Sequence, residues 1–286
     1  NGHNISLDVS FGVSTGKNNN IYRLAHIALK EVKKTYKKVM FLNDSKGLEN
    51  RINNNIDIIN TIQSAIKDDR ITPYFQGIVD NKTQTIVKYE ALIRLIKRNG
   101  DVLSPFFFLD ASKKAKSYQE LTRIMITKAF DVFSQCEYGF SINLTLSDMR
   151  SKNTMDVLYK SLEKYGCGER LILEIVESEG IEYFEEVCSF IREVKKYGCK
   201  IAIDDFGSGY SNFAYLAKLD IDFIKIDGSL INDIDKDENK RIAVESILYF
   251  AKNKGIKTIA EYIETQSIFD LMIELGVDYS QGYLFS

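Results

Sequence analysis

Downstream of about residue 66, short apolar runs alternate with stretches whose apolar residues recur at helical spacing, the order expected of a parallel α/β fold. The runs are ITPYFQGIV (71–79), TIVKYEALIRL (85–95), YGFSINLTL (138–146), RLILEIVES (170–178), KIAIDDFG (200–207), FIKID (223–227), IKTIAEYIE (256–264) and VDYSQGYLF (277–285). Amphipathic patterns such as Tyr118–Phe133 and Lys240–Asn253 lie between them, and Gly198 and Gly255 mark helix ends before the next strand. Nearly every run carries a carboxylate, amide or lysine at or near its C-terminal end: Glu90, Asn143, Glu174, Asp204 with Asp205, Lys225, Glu261 and Gln281. A doubly wound open sheet gathers only the residues at its switch point. Polar residues from seven strand ends converge only if the strands close into a (β/α)8 barrel with its site at the C-terminal face.

The first part of the chain reads differently. Residues 5–13, ISLDVSFGV, alternate like a half-buried strand, Tyr22–Val39 has helical spacing with basic residues late, and Val39–Leu42 is a second strand. This β-α-β piece holds too little chain for a core of its own. Gly47–Arg70 reads as one polar helix with apolar positions Ile52, Ile56, Ile59, Ile62 and Ile66. The expected organisation is therefore a small fragment over 1–46, a helical linker over 47–65 and the barrel over 66–286. The chain starts at Asn1 without a methionine and soon enters a strand pattern, which predicts a piece of a longer protein whose targeting or sensory segments lie elsewhere.

Composition narrows the partners. With 44% hydrophobic and 27% charged residues and a formal net charge of -2, nothing supports a nucleic-acid polymer or a membrane surface as partner, so an anionic ligand must be held locally. Cys136, Cys167, Cys188 and Cys199 form no CxxC pair and read as reduced thiols of a cytoplasmic protein. No apolar run approaches the length of a membrane span.

The strand-end set contains Glu, Asn and Asp without His or Cys, an all-oxygen group suited to Mg2+ or Mn2+ rather than zinc. Five carboxylates exceed the need of one Mg2+; two ions would use the excess, and such pairs serve in-line displacement at phosphorus. Lys225 can balance the acids, orient the attacking water or neutralise transition-state charge, and Glu261 is a metal ligand or a base. In KIAIDDFGSGY (200–210) adjacent residues of a strand point to opposite faces, so one of Asp204 and Asp205 should enter the site, unless the chain bends there. Singly, Glu90 also reads as an exposed strand acid, Asn143 as a turn former, Lys225 as a snorkelling lysine and DD-G-x-G as a polar turn. The joint pattern carries the assignment.

That pattern resembles the EAL domain, the cyclic di-GMP phosphodiesterase family, over about residues 66–286. The naming motif stands as Glu90-Ala91-Leu92, with FQGIVD (75–80), SINLT (141–145), LEIVES (173–178), DDFGSGYS (204–211), KID (225–227), AEYIET (260–265) and QGYLFS (281–286) in the family's order. The resemblance implies a barrel with an atypical antiparallel first strand that hydrolyses cyclic di-GMP to linear pGpG. It implies metal ligation by Glu90, Asn143, Glu174, Asp204, Asp205 and Glu261, work on the nucleophilic water by Lys225, and substrate contacts by Gln76, Arg94 and Gln281. Glu177 would brace the loop after the double aspartate, and a homodimer would form near that loop. SFGVS (10–14) and LAHIALKEVKK (24–34) loosely resemble the end of a GGDEF domain. Gly77 stands where the family has proline, Val176 where it has threonine and Tyr262 where it has glycine, which leaves tuned activity, or a cyclic di-GMP receptor or scaffold, as the competing expectation.

Overall fold

The computed structural model describes residues 11–14, 39–42, 57–177, 183–208 and 213–285. The chain divides into two compact units, Asn1–Thr61 and Ile62–Ser286. In the first, β1 (Phe11–Ser14) and β2 (Val39–Leu42) pair in parallel, Phe11 opposite Val39 and Ser14 opposite Leu42. The strand start expected at 5–10, the helix expected over Tyr22–Val39 up to residue 38 and the first part of the expected connector lie outside the described residues; of the connector, a helix over 57–67 is described.

In the second unit β3 (Ile71–Asp80), β4 (Thr85–Ile96), β6 (Gly139–Leu144), β7 (Leu171–Val176), β8 (Lys200–Phe206), β9 (Phe223–Ile226), β10 (Lys257–Ala260) and β11 (Tyr279–Gln281) form an eight-stranded closed barrel. The short β5 (Val102–Leu103) extends it at the far end of β4. All eight expected runs are strands, and β3 pairs antiparallel with both β4 and β11 while the other barrel pairings are parallel. The cause is local. Asp80 Oδ1 accepts hydrogen bonds from the amides of Lys82 and Thr83, closing a turn between β3 and β4 that is too short for a parallel crossover.

Helices α1 (Leu109–Lys114), α2 (Tyr118–Phe133), α3 (Leu146–Met149), α4 (Lys152–Tyr165), α5 (Phe184–Lys195), α6 (Phe213–Leu216), α7 (Gly228–Ile231), α8 (Glu238–Lys254) and α9 (Gln266–Leu275) connect the strands. Three of them show how the sequence sets their limits: Ser151, Asp237 and Thr265 side chains accept first-turn amides of α4, α8 and α9, and Gly166, Gly255 and Gly276 end the same helices in the left-handed region. No helix among the described residues is long and apolar enough to cross a membrane.

The core has two parts. Between strands and helices lie residues such as Phe130, Phe140, Leu173, Ile203 and Val244. A second buried cluster holds Ile78, Ile172, Ala202, Phe223 and Ile259. Each of its members stands two residues along its strand from Gln76, Glu174, Asp204, Lys225 or Glu261, and so on the same inward face. A dry layer therefore plugs the barrel directly beneath the polar one.

β11 leads out of the barrel through Gly282. A Cβ there would lie 2.2 Å from both the nitrogen and the oxygen of Ile263, backbone atoms that cannot swing away. Gly282→Ala should therefore destabilise the protein by about 1–3 kcal/mol, the usual cost of overpacking, and lower the melting temperature by several degrees. Gly255→Ala, where a new Cβ meets nothing within 4 Å, costs only the left-handed backbone penalty of ~1 kcal/mol and serves as the comparison in thermal unfolding.

Candidate active site

Lys225, on β9, is 1% exposed, and its ammonium sits among four carboxylates: Glu174 Oε2 at 2.9 Å, Glu261 Oε1 at 2.9 Å, Asp204 Oδ1 at 3.0 Å and Glu90 Oε2 at 3.2 Å. These acids come from β4, β7, β8 and the residue just past β10. Glu90 is clamped further: Asn143 Nδ2 donates to its Oε1 (2.8 Å), and Gln281 Nε2 donates to its Oε2 (2.7 Å) and to Gln76 Oε1 (3.0 Å). Strand register explains the meeting. Asn143 is paired with Glu174 across β6–β7, and Gln76 with Glu90 across β3–β4.

Glu90 is not at the end of its strand, as the run pattern suggested, because β4 continues to Ile96. It lies where the parallel pairing of β4 with β6 runs out, one residue before Ala91 opposite Ile142, and beyond it β4 continues against β3 and β5. For the barrel it is a rim residue all the same.

The question left by Asp204 and Asp205 is resolved by a bend. The register of β8 against β9 shifts between Ile203 and Phe206, and Asp205 has φ 56°. This bulge breaks the alternation, so that an oxygen of Asp204, one of Asp205 and one of Glu261 all lie within 4.8 Å of one another. The left-handed conformation begins at Asp205 itself and recurs at Gly207, with φ 98°.

A cleft of about 540 Å³ opens over these groups, lined also by Asp227, Gly228, Ser229, Asn232, Tyr262 and Tyr283. Sequence reasoning missed Ser229, Asn232 and Tyr283. The signal available was the KIDGS stretch, in which Asp227 accepts the Ser229 amide and turns the chain across the cleft as α7. Arg94 is not brought to the cleft; it donates to the Ile93 carbonyl, with its guanidinium 5.6 Å from the Tyr74 ring centroid. Glu177 is buried just past β7, but 178–182 and 209–212, where its expected bracing role would act, lie outside the described residues.

Charge balance explains the ionisation pattern. Burial alone would lower the Lys225 pKa, yet Glu174, Glu261, Glu90 and Asp204 together hold it well above the usual lysine range, so the group stays an ammonium. Burial also opposes charge on Glu90, but Lys225 and the hydrogen bonds from Gln281 and Asn143 outweigh it and keep the carboxyl below its ordinary range. Glu174 is pushed well above that range, by burial first and then by the charge of Glu90. Glu261 is pushed up to about 7 by burial, with Asp204 and Glu90 adding and Lys225 opposing, and Asp205 is raised by burial and by Asp204. One cation does not neutralise five acids. Glu174 Oε1, buried, has no hydrogen-bond partner among the described residues. An all-oxygen set with a surplus of negative charge and an orphaned buried carboxylate oxygen fits a hard divalent cation.

Glu261 and Glu174 bind protons more tightly folded than unfolded, so their contribution to stability is full below the ordinary value of 4.5 and is lost as pH rises through the folded values. In metal-free buffer the melting temperature should fall as pH is raised from about 5 past 7. Glu261→Gln should flatten that decline, and Mg2+ or Mn2+ should raise the melting temperature more at pH 8 than at pH 5.5. Calorimetric scans with and without chelator check all three.

Residues 59–286 match the family model described as "EAL domain". The chain is 33% identical over 239 residues to "Cyclic di-GMP phosphodiesterase PdeA" of Borreliella burgdorferi, a match covering 82% of this chain and 36% of that protein. It spans about a third of the length of curated relatives of this kind. Among solved structures it is similar to an EAL domain protein from Listeria monocytogenes (30% identity, TM-score 0.68, 79% of this chain and 92% of that one). It is also similar to BlrP1 of Klebsiella pneumoniae in a calcium and cyclic di-GMP complex (28%, TM-score 0.67, 76% and 55%). With a carboxylate-rimmed barrel built on its second unit and a family match over most of its length, this chain belongs to the EAL domain family.

Proposed function

We propose that this chain is a metal-dependent phosphodiesterase that hydrolyses one 3′–5′ phosphodiester of cyclic di-GMP to give linear pGpG. The observation that supports this most is the carboxylate cluster centred on Lys225, in which Glu90, Glu174, Asp204 and Glu261 surround its ammonium at the barrel rim, and the relative from Borreliella burgdorferi carries this activity in its name. Glu90, Asn143, Glu174, Asp204, Asp205 and Glu261 would hold Mg2+ or Mn2+, with enough carboxylates for two ions. Bound divalent cations supply a lowered water pKa and neutralise charge on the phosphoryl oxygens.

The chain's own residues do the rest. Lys225 keeps its proton, so it acts by charge and orientation rather than as a base, stabilising the negative charge that grows on the phosphoryl group. Glu261, at the rim beside Lys225 and close to Asp204 and Asp205, serves as a metal ligand or as the base that takes the proton of the attacking water. The water oxygen bonds to phosphorus, the bond from phosphorus to the 3′ oxygen breaks, and that oxygen leaves with a proton from solvent. The Gln76 and Gln281 amides, hydrogen-bonded to each other at the cleft wall, orient the substrate. Arg94 suits a phosphate by its fork of donors, and takes part once its guanidinium leaves the Tyr74 face. Glu177 braces the loop that follows Asp205, and a homodimer forms near that loop. Residues 1–46 are the end of a GGDEF-like domain, a reading supported by the parallel pair β1 and β2, and the protein works in the cytoplasm.

Incubation with cyclic di-GMP and Mg2+ or Mn2+, followed by chromatography, should yield pGpG. Lys225→Ala should lower kcat on the order of 10²–10³-fold, the loss typical of one removed electrostatic stabiliser, and Glu90→Ala should abolish product. Tight binding of cyclic di-GMP with no product from the wild type would replace this reading with a receptor.

A further inference from the structure

Tyr262 follows Glu261 with φ 61°. Of the other non-glycine residues with positive φ among those described, Asp69, Gln84, Lys116 and Asp233 lie in turns and Asp205 forms the bulge in β8. Tyr262 is the aromatic one, and a bulky side chain in the left-handed region is a strained choice where glycine would fit. The conformation is forced from both sides. The Glu261 amide donates to the Ile226 carbonyl (3.2 Å), the Ile263 amide to the Gln281 carbonyl (3.0 Å), and the Leu284 amide to the Ile263 carbonyl (3.0 Å), so both flanks are sewn to β9 and β11.

The ring is given room. A Cβ on Gly228 would come within 2.7 Å of Tyr262 Cβ and 3.1 Å of Cγ, so the bare Gly228 backbone is the seat of the side chain. Away from that seat the ring borders the cleft beside Glu261, Ser229, Asn232 and Tyr283, and it is 45% exposed. Its hydroxyl has no hydrogen-bond partner among the described residues, and no other aromatic ring packs on it. A ring held at a backbone cost, not buried in the core and facing the cleft next to a reacting carboxylate, has its partner in the ligand.

We propose that Tyr262 is a substrate-binding residue: its ring stacks on a guanine of the substrate and holds that nucleotide against the Glu261 side of the cleft. This rests on the cyclic di-GMP reading above. Every base offers a π-face, and aromatic stacking is a sequence-tolerant way to bind one. The position combines binding with strain, so removing the ring should weaken substrate binding while relaxing the backbone.

The test compares wild type, Tyr262→Gly and Tyr262→Phe with cyclic di-GMP and Mg2+. Tyr262→Gly should melt about 2 °C or more above wild type, with KM raised about tenfold and kcat within about threefold; Tyr262→Phe should keep the wild-type KM. An unchanged KM in Tyr262→Gly, or a fall in kcat alone, would overturn the stacking role, and a lower melting temperature would show the ring to be structural packing on Gly228. If wild type binds without turnover, calorimetric Kd values replace KM and the same tenfold criterion applies. A wild type that neither cleaves nor binds cyclic di-GMP sinks the substrate reading itself, and the stacking role with it.

Discussion

An ammonium buried at the centre of a barrel is stable only while carboxylates surround it, and Lys225 sets that condition for the rest of the structure. Removing such a charge from water costs several kcal/mol, and close oxygen partners must offset it. Four carboxylates brought to the barrel rim by four different strands do so at 2.9–3.2 Å. The compensation overshoots: burial, with the neighbouring carboxylates adding, raises the pKa of Glu174 and Glu261, and Glu174 Oε1 has no hydrogen-bond partner among the described residues. A set of oxygen donors with more acid than one ammonium balances fits a hard divalent cation.

The barrel is the means of meeting this condition. Strand periodicity places apolar and polar residues two apart on the same inward face, so Ile172, Ala202, Phe223 and Ile259 fill the interior beneath Glu174, Asp204, Lys225 and Glu261. The apolar layer excludes water from below and leaves the polar layer open only at the rim. Low polarizability around the cluster strengthens every charge interaction within it, which is why a single lysine can hold Glu90 ionised while its neighbour Glu174 resists ionisation.

Two departures from regular backbone sit at the rim, at Asp205 and at Tyr262, each one residue after a carboxylate paired with Lys225. The bulge at Asp205 recruits a second adjacent carboxylate that a regular strand would turn outward. The left-handed turn at Tyr262 carries the chain from β10 toward the contact of Ile263 with β11, and in doing so swings a ring over the cleft. Local backbone stability is given up where the site needs a direction of approach that regular strands cannot supply.

Much of this was legible in the chain. Apolar runs separated by amphipathic patterns disclosed the strands, because burial on both faces demands continuous Ile, Leu and Val. Polar residues closing those runs disclosed the site, because unpaired charge at the end of a buried strand needs a common partner. The antiparallel entry strand was legible only through the family resemblance, although the Asp80 turn is its physical cause. Three things were decided by tertiary structure. The bend at Asp204–Asp205 depends on how β8 registers with β9, which no local pattern states. Arg94 lies away from the cleft because its guanidinium packs beside Tyr74 across the β3–β4 pair. Ser229, Asn232 and Tyr283 became cleft residues because the segments after β9 and β11 fold back over the rim, bringing together positions far apart in sequence through contacts that exist only when the barrel is closed.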